Sequence, residues 1–206
     1  MTRLTAAAAI LIFGTTPVLA FGDTDNIANT NPVSVTGGTY VVEPNHTRVQ
    51  FSVMHMGFTN WNGDFTGVSG SLQLDPQNVA ASKLDISIPV ATVSTTNAKL
   101  DGELKSANWL DANRFPTMRL LATKIVRTAA SRATLTGNLT LHGVTKPIVL
   151  DVSFNGAGVN PMDKHYTVGF EATAKVRRSD FGVTKYIPVV GDETTLHISA
   201  AFERVN

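Results

Sequence analysis

Thr134-Leu135-Thr136-Gly137-Asn138-Leu139-Thr140-Leu141-His142-Gly143-Val144-Thr145-Lys146-Pro147-Ile148-Val149-Leu150-Asp151-Val152-Ser153-Phe154 is the stretch that decides the fold class. Leu135, Gly137, Leu139 and Leu141 fall on one side of an extended chain. Thr134, Thr136, Asn138 and Thr140 fall on the other. Gly143 to Pro147 carry turn chemistry. Ile148, Leu150, Val152 and Phe154 then restart the same two-residue period. A helix would need a period near 3.6, so this is a strand, a turn and a strand, each half apolar.

The pattern spreads outward along the chain. Val49, Phe51 and Val53 share a face, as do Leu72 and Leu74, and Leu84, Ile86 and Ile88. Val168, Phe170, Ala172, Ala174 and Val176 form another face, and Leu196, Ile198, Ala200 and Phe202 the last. Met118, Leu120 and Ala122 are a weaker case, because Leu121 blurs the alternation. Turn residues at Asp75-Pro76-Gln77-Asn78, Asn155-Gly156-Ala157-Gly158 and Gly191-Asp192 separate the runs. One segment departs. Between Asn97 and Asp111, Leu100, Leu104, Ala107 and Leu110 approach helical spacing, which predicts a short helical insertion. Pro116 closes it by excluding helix just before itself.

About eight strands in one chain predict an all-β fold. An antiparallel sheet of that width must hide its edges, and closure into a barrel does so. The expected architecture is an eight-stranded antiparallel barrel with an apolar lumen. A two-sheet sandwich has the same alternation, so the period alone leaves it open. The small inward residues Ala172, Ala174, Ala200 and Gly137 favour unfilled space inside. An outer-membrane barrel would turn its apolar face to lipid between aromatic girdles, which 7% aromatic content does not favour.

Composition narrows the function. The 206 residues include no Cys, which excludes disulfides, thiolate metal sites and a Cys nucleophile. Lys plus Arg is 17 against 16 Asp plus Glu, so there is no polybasic footprint and no nucleic-acid partner is expected. A hydrophobic content of 43% with 16% charged residues fits a packed domain. Residues 1–20 read as a cleaved signal peptide. Arg3 precedes the apolar run Leu4 to Gly14, Pro17 breaks it, and Val18-Leu19-Ala20 precedes the cleavage point. The run is too short to span a bilayer, so export to the periplasm without a stable membrane anchor is expected. Residues 21–38 read as a flexible lead and residues 39–206 as the barrel domain.

With these runs in place the chain resembles a known family. The residues that carry the likeness are Glu43-Pro44-Asn45-His46-Thr47 with Val49 to Gly57, and Trp61-Asn62-Gly63-Asp64-Phe65. Ser94-Thr95-Thr96-Asn97 with Arg114-Phe115-Pro116, Leu135 to Pro147, and Arg178-Ser179-Asp180-Phe181-Gly182 complete it. In this order, over roughly 39–204, they are similar to the YceI-like family of periplasmic lipid-binding proteins. The resemblance implies a lipocalin-like extended barrel that binds a long-chain amphiphile, a polyisoprenoid or a fatty-acid derivative, and it is compatible with a homodimer. The inserted segment departs from the family pattern. Where an Arg-Asp pair and then a His are usual, this chain has Leu100-Asp101 and Glu103. The usual aromatic pair reads Trp109-Leu110.

A carrier needs an apolar slot and a few polar groups at its mouth. The wall candidates are Phe51, Val53, Trp61, Phe65, Ile86, Ile88, Leu139, Leu141, Phe170, Ile198 and Phe202, each also at home in ordinary core packing. His55 is a candidate head-group contact. Arg178 and Asp180, two apart in an apparently extended segment, are candidates for an anionic head group or a structural ion pair. Gly63, Gly143 and Gly182 read as backbone-geometry positions. His46 and His55 are nine residues apart, an odd separation spanning about 30 Å of strand, and no acidic cluster supports a metal site. No Gly-x-Ser-x-Gly elbow, phosphate loop or dinucleotide fingerprint occurs, so neither catalysis nor a cofactor is expected. Two readings stay open beside the carrier: sequestration of another hydrophobic compound such as a quinone or a drug, and a hydrolase acting on lipid in the same pocket.

Overall fold

A computed structural model describes residues 28–205 of the chain. The expected signal peptide lies outside them. Ten strands and one α-helix follow in chain order. They are β1 (Gly38–Val42), β2 (Arg48–His55), β3 (Thr59–Phe65), β4 (Ser69–Leu74) and β5 (Lys83–Pro89), then α1 (Ala98–Lys105). β6 (Thr117–Ala129), β7 (Arg132–Leu141), β8 (Val144–Val159), β9 (Tyr166–Arg177) and β10 (Val190–Arg204) complete the set.

The strands form one antiparallel sheet in the order β1-β4-β5-β6-β7-β8-β9-β10, and β1 also pairs with β10. That pairing closes a ring of eight strands, so the sandwich alternative falls away. β10 closes it because it is 15 residues long. Along one edge it pairs with β2 over Val190 to Ser199 and with β1 over Phe202 to Arg204. β1 and β2 are thus two halves of one interrupted barrel strand. β3 and β4 pair with β2 and β1 respectively and form a second interrupted strand.

The interruption between β1 and β2 is the Glu43-Pro44-Asn45-His46-Thr47 turn. Glu43 accepts from the backbone N–H groups of Asn45 at 3.0 Å and His46 at 2.7 Å. Thr47 is buried, and its Oγ1 donates to Ala201 O at 3.2 Å and accepts from Ala201 N at 3.0 Å. A side chain there occupies the place of a ladder peptide. β3 has a thinner attachment on its far edge. Among the described residues its only main-chain bridge on that side is Asp64 with Ser94, at 2.8 and 2.9 Å.

The two-residue period places the core as expected. Val49, Leu72, Ile86, Ile88, Leu135, Leu139, Ile148, Leu150, Val168 and Phe202 are buried inside the ring. Leu121 points outward, so the β6 alternation survives through Met118 and Leu120. Gly137 leaves no void, since a β-carbon there would lie 2.9 Å from Leu120 Cδ1. Residues 28–38 of the expected lead make contacts with the barrel. Asn29 bridges to Ala157, Val35 is buried, and Thr36 N donates to Tyr166 Oη at 3.2 Å. Tyr40, fully buried, donates its hydroxyl to Thr36 O. The segment stays because it covers apolar surface at one barrel end. Among the described residues no helix is long and apolar enough to cross a membrane.

Candidate ligand-binding cavity

Three chambers lie in file inside the ring. The largest, about 290 Å³, is walled by Val49, Phe51 and Val53 of β2, Trp61 and Phe65 of β3, Ile88 of β5, and Leu139 and Leu141 of β7. The middle one, about 160 Å³, is walled by Ile86, Ile88, Phe170, Ile198 and Phe202. Ala172 and Ala200 also line it, so two of the small inward residues do leave open volume. Val49 and Ile88 belong to both chambers. The third, about 80 Å³, shares Leu74, Val79 and Phe170 with the middle one and reaches Pro32 and Val35 of the lead segment.

All eleven wall candidates therefore line the file. The period found them because inward-facing residues of a closed ring have nowhere else to point. The wall is held by ring-on-ring packing. Phe51 meets Phe65 at 5.6 Å, and Phe170 meets Phe154 at 5.8 Å and Phe202 at 6.2 Å. Gly63 has a different role from the one expected. A β-carbon there would lie 2.4 Å from Phe51 Cζ, so glycine makes room for the ring and not for an unusual backbone angle. Gly143 and Gly182 do have positive φ, 76° and 78°.

The inserted segment caps the large chamber. α1 starts at Asn97, whose side chain accepts from the N–H groups of Lys99 and Leu100 at 3.1 and 3.2 Å. Asp101 pins the helix back to β3's neighbour by accepting from Thr95 N and Oγ1, both at 2.7 Å. Leu100, Leu104 and Leu110 face the chamber; Ala107 of the same expected stripe is exposed, since the helix has ended by then. Trp109 is buried against Val183 of the segment before β10 and Val190 at the start of β10. Periodicity missed Val183 and Tyr186, which sit in an aperiodic loop, and Val190, which opens β10 just before a register shift breaks the period. It also passed over Val176 and Leu196, although both lie on inward faces already recognised.

The polar candidates divide. His55 lines the large chamber with its ring 6.2 Å from that of Trp61. Arg178 also borders the chamber, but its guanidinium is committed. Nε donates to Gly191 O at 2.8 Å, and Nη1 and Nη2 donate to Val183 O and Val190 O at 2.9 Å each. The guanidinium carbon also lies 5.2 Å from the Trp109 ring centre. Burial pulls its pKa below the usual arginine value, and the carboxylate of Asp192 opposes that. Asp180 does not belong to the site. Arg178–Phe181 is a turn of 3₁₀ helix and not an extended segment, so the two side chains diverge, with Asp180 exposed. The carboxylate that the turn uses is Asp192, which accepts from Ser179 N at 2.9 Å and Oγ at 2.7 Å.

One charged group was not foreseen. Glu103 of α1 borders the large chamber. Its Oε1 accepts from Lys185 Nζ at 3.0 Å and from Trp109 Nε1 at 3.2 Å. The Lys185 hydrogen bond, then that of Trp109, holds its carboxyl below the usual glutamate value. Reciprocally, Glu103 raises the Lys185 ammonium pKa. The other histidines lie elsewhere. His46 and His165 bond Glu43 and Glu203, His142 lies 3.1 Å from Phe181 O, and His197 is exposed. Among the described residues no group of three or more His, Cys, Asp or Glu is placed to hold a metal ion.

An antiparallel ring with apolar chambers in file and one capped end defines a barrel built around internal cavities. Residues 40–202 match the family model described as a YceI-like domain, and the chain belongs to the YceI-like family. A UPF0312 protein of Pseudomonas savastanoi pv. phaseolicola is 34% identical over 168 residues, which are 81% of this chain and 85% of that protein. Two solved structures share the barrel. Burkholderia cenocepacia BcnA has a TM-score of 0.70 at 21% identity, covering 78% of this chain and 98% of its own. A polyisoprenoid binding domain from Saccharophagus degradans has a TM-score of 0.62 at 11% identity, covering 82% and 100%. Three of the family-like motifs, those of Phe115, His142 and Arg178, meet at the capped end. Phe115 stacks on His142 at 5.0 Å, His142 reaches Phe181, and Arg178 underlies Trp109.

Proposed function

We propose that this protein holds a long-chain amphiphile, a polyisoprenoid or a fatty-acid derivative, inside the barrel and carries it through the periplasm without chemical change. The observation that carries the reading is the file of chambers, whose walls are almost wholly apolar. Each CH₂ buried there gains about 0.8 kcal/mol, so about ten give tight binding after the cost of association. The barrel shared with the polyisoprenoid binding domain of Saccharophagus degradans supports an isoprenoid as one member of this range. The exported state rests on the signal-peptide reading of residues 1–20.

Native mass spectrometry of protein purified from the periplasm, followed by solvent extraction, tests the proposal. The expected result is one prenyl or acyl compound in near-stoichiometric amount, released unaltered. An empty protein that also refuses offered polyisoprenoids and fatty acids would overturn it. A time-dependent change in the mass of the bound compound would replace the carrier with the lipid-modifying reading.

A further inference from the structure

The charged or hydroxyl- or imidazole-bearing side chains that border the large chamber are His55, Glu103, Arg178, Tyr186 and Thr194. Their availability to a ligand differs. Every nitrogen of Arg178 already donates to a main-chain carbonyl, and the residue is only 7% exposed. It fastens the loop before β10 and is not offered to an anion. Glu103 is different. Both of its hydrogen bonds fall on Oε1, and among the described residues Oε2 accepts none. The side chain is 35% exposed and that of Lys185 27%, so this pair stands where the chamber meets solvent.

We infer that Glu103, paired with Lys185 at the chamber mouth, selects amphiphiles with an uncharged head group that donates a hydrogen bond, and disfavours carboxylate and phosphate heads. This rests on the carrier reading. A carboxylate with a free acceptor oxygen welcomes an O–H or N–H donor such as an alcohol, a phenol or a primary amide. An anionic head beside Oε2 meets an acceptor it cannot bond, while the cationic donors nearby are engaged, Lys185 by Oε1 and Arg178 by main-chain carbonyls. The tail fixes affinity and Glu103 fixes which head groups are accepted.

Dodecanol and dodecanoate share a tail and differ in head group, so they are the probes. Their dissociation constants are measured by competition on the wild-type protein and on Glu103→Gln, whose amide keeps acceptors for Trp109 and Lys185. The expected result is about tenfold tighter dodecanoate binding in the variant, with dodecanol changed by less than about twofold. Equal changes for both probes would mark Glu103 as a structural lid residue and overturn the inference. So would an unchanged dodecanoate constant in a variant with the wild-type melting temperature. Refusal of both probes by the folded wild-type protein would overturn the carrier reading together with this one. Binding of both without selectivity would overturn only the head-group assignment.

Discussion

Thr47 stands in for a peptide group. Its hydroxyl both donates to and accepts from Ala201 at the point where the chain leaves β1 and has not yet begun β2. Thr47→Val keeps the shape and removes both bonds, leaving the Ala201 N–H unpaired in the interior. The expected cost is about 1–3 kcal/mol, seen as a lower urea midpoint with an unchanged slope; an unchanged midpoint would mean that water replaces the hydroxyl. Residues like this were the least legible in the sequence. The two-residue period finds which side chains point inward, and all eleven wall residues it singled out line the chambers, though it passed over Val176 and Leu196. It is blind to partners across a turn. Arg178 was paired with Asp180, two positions away, when its real bonds go to the carbonyls of Val183, Val190 and Gly191.

Among the elements, α1 matters most, because it covers the large chamber and is tied across its mouth by Glu103 to Lys185. The Glu103 carboxyl has its pKa lowered, first by Lys185 and then by Trp109. A lowered carboxylate stabilises at pH above its unfolded value and loses that contribution as pH falls through its folded value. The tie is therefore expected to hold between about pH 5 and 8 and to loosen only in acid below the usual glutamate range. The chain has two Trp, so Trp61→Phe leaves Trp109 as sole reporter. Its emission should stay constant over that neutral range and shift to the red in stronger acid, and adding Glu103→Gln should remove the acid step. A shift centred near neutrality would assign control to another group. The helix was legible because Asn97 caps it and its leucines repeat at helical spacing. β1 and β3 were not. β1 is five residues with Tyr40, Val41 and Val42 in unbroken succession, and β3 is rich in Asn and Gly, which strands disfavour.

Taken whole, the ring contains eight strand paths, and about eight runs were readable, but the two counts agree partly by compensation. Two paths are each split, and the halves missing from the sequence reading, β1 and β3, complete paths already counted through β2 and β4 respectively. Closure itself was an inference from edge avoidance; the period alone allowed a sandwich until the β1–β10 pairing decided it. The split paths have a further consequence. Around most of the ring, neighbouring strands are laced by long ladders, ten registered pairs between β7 and β8 and eleven between β9 and β10. At β3 the far edge is fastened by a single bridge, Asp64 with Ser94. A cylinder stitched everywhere but along one short line yields there first. The β2–β3 corner is therefore expected to swing away from the cap while the rest of the wall stays shut, giving a tail a sideways way in that never unfolds the ring. The amide of Asp64, which donates to Ser94 across that line, should then trade hydrogen for deuterium roughly a hundredfold faster than those of Leu135 and Leu139, and a filled lumen should slow it; equal protection at the three positions would close that door.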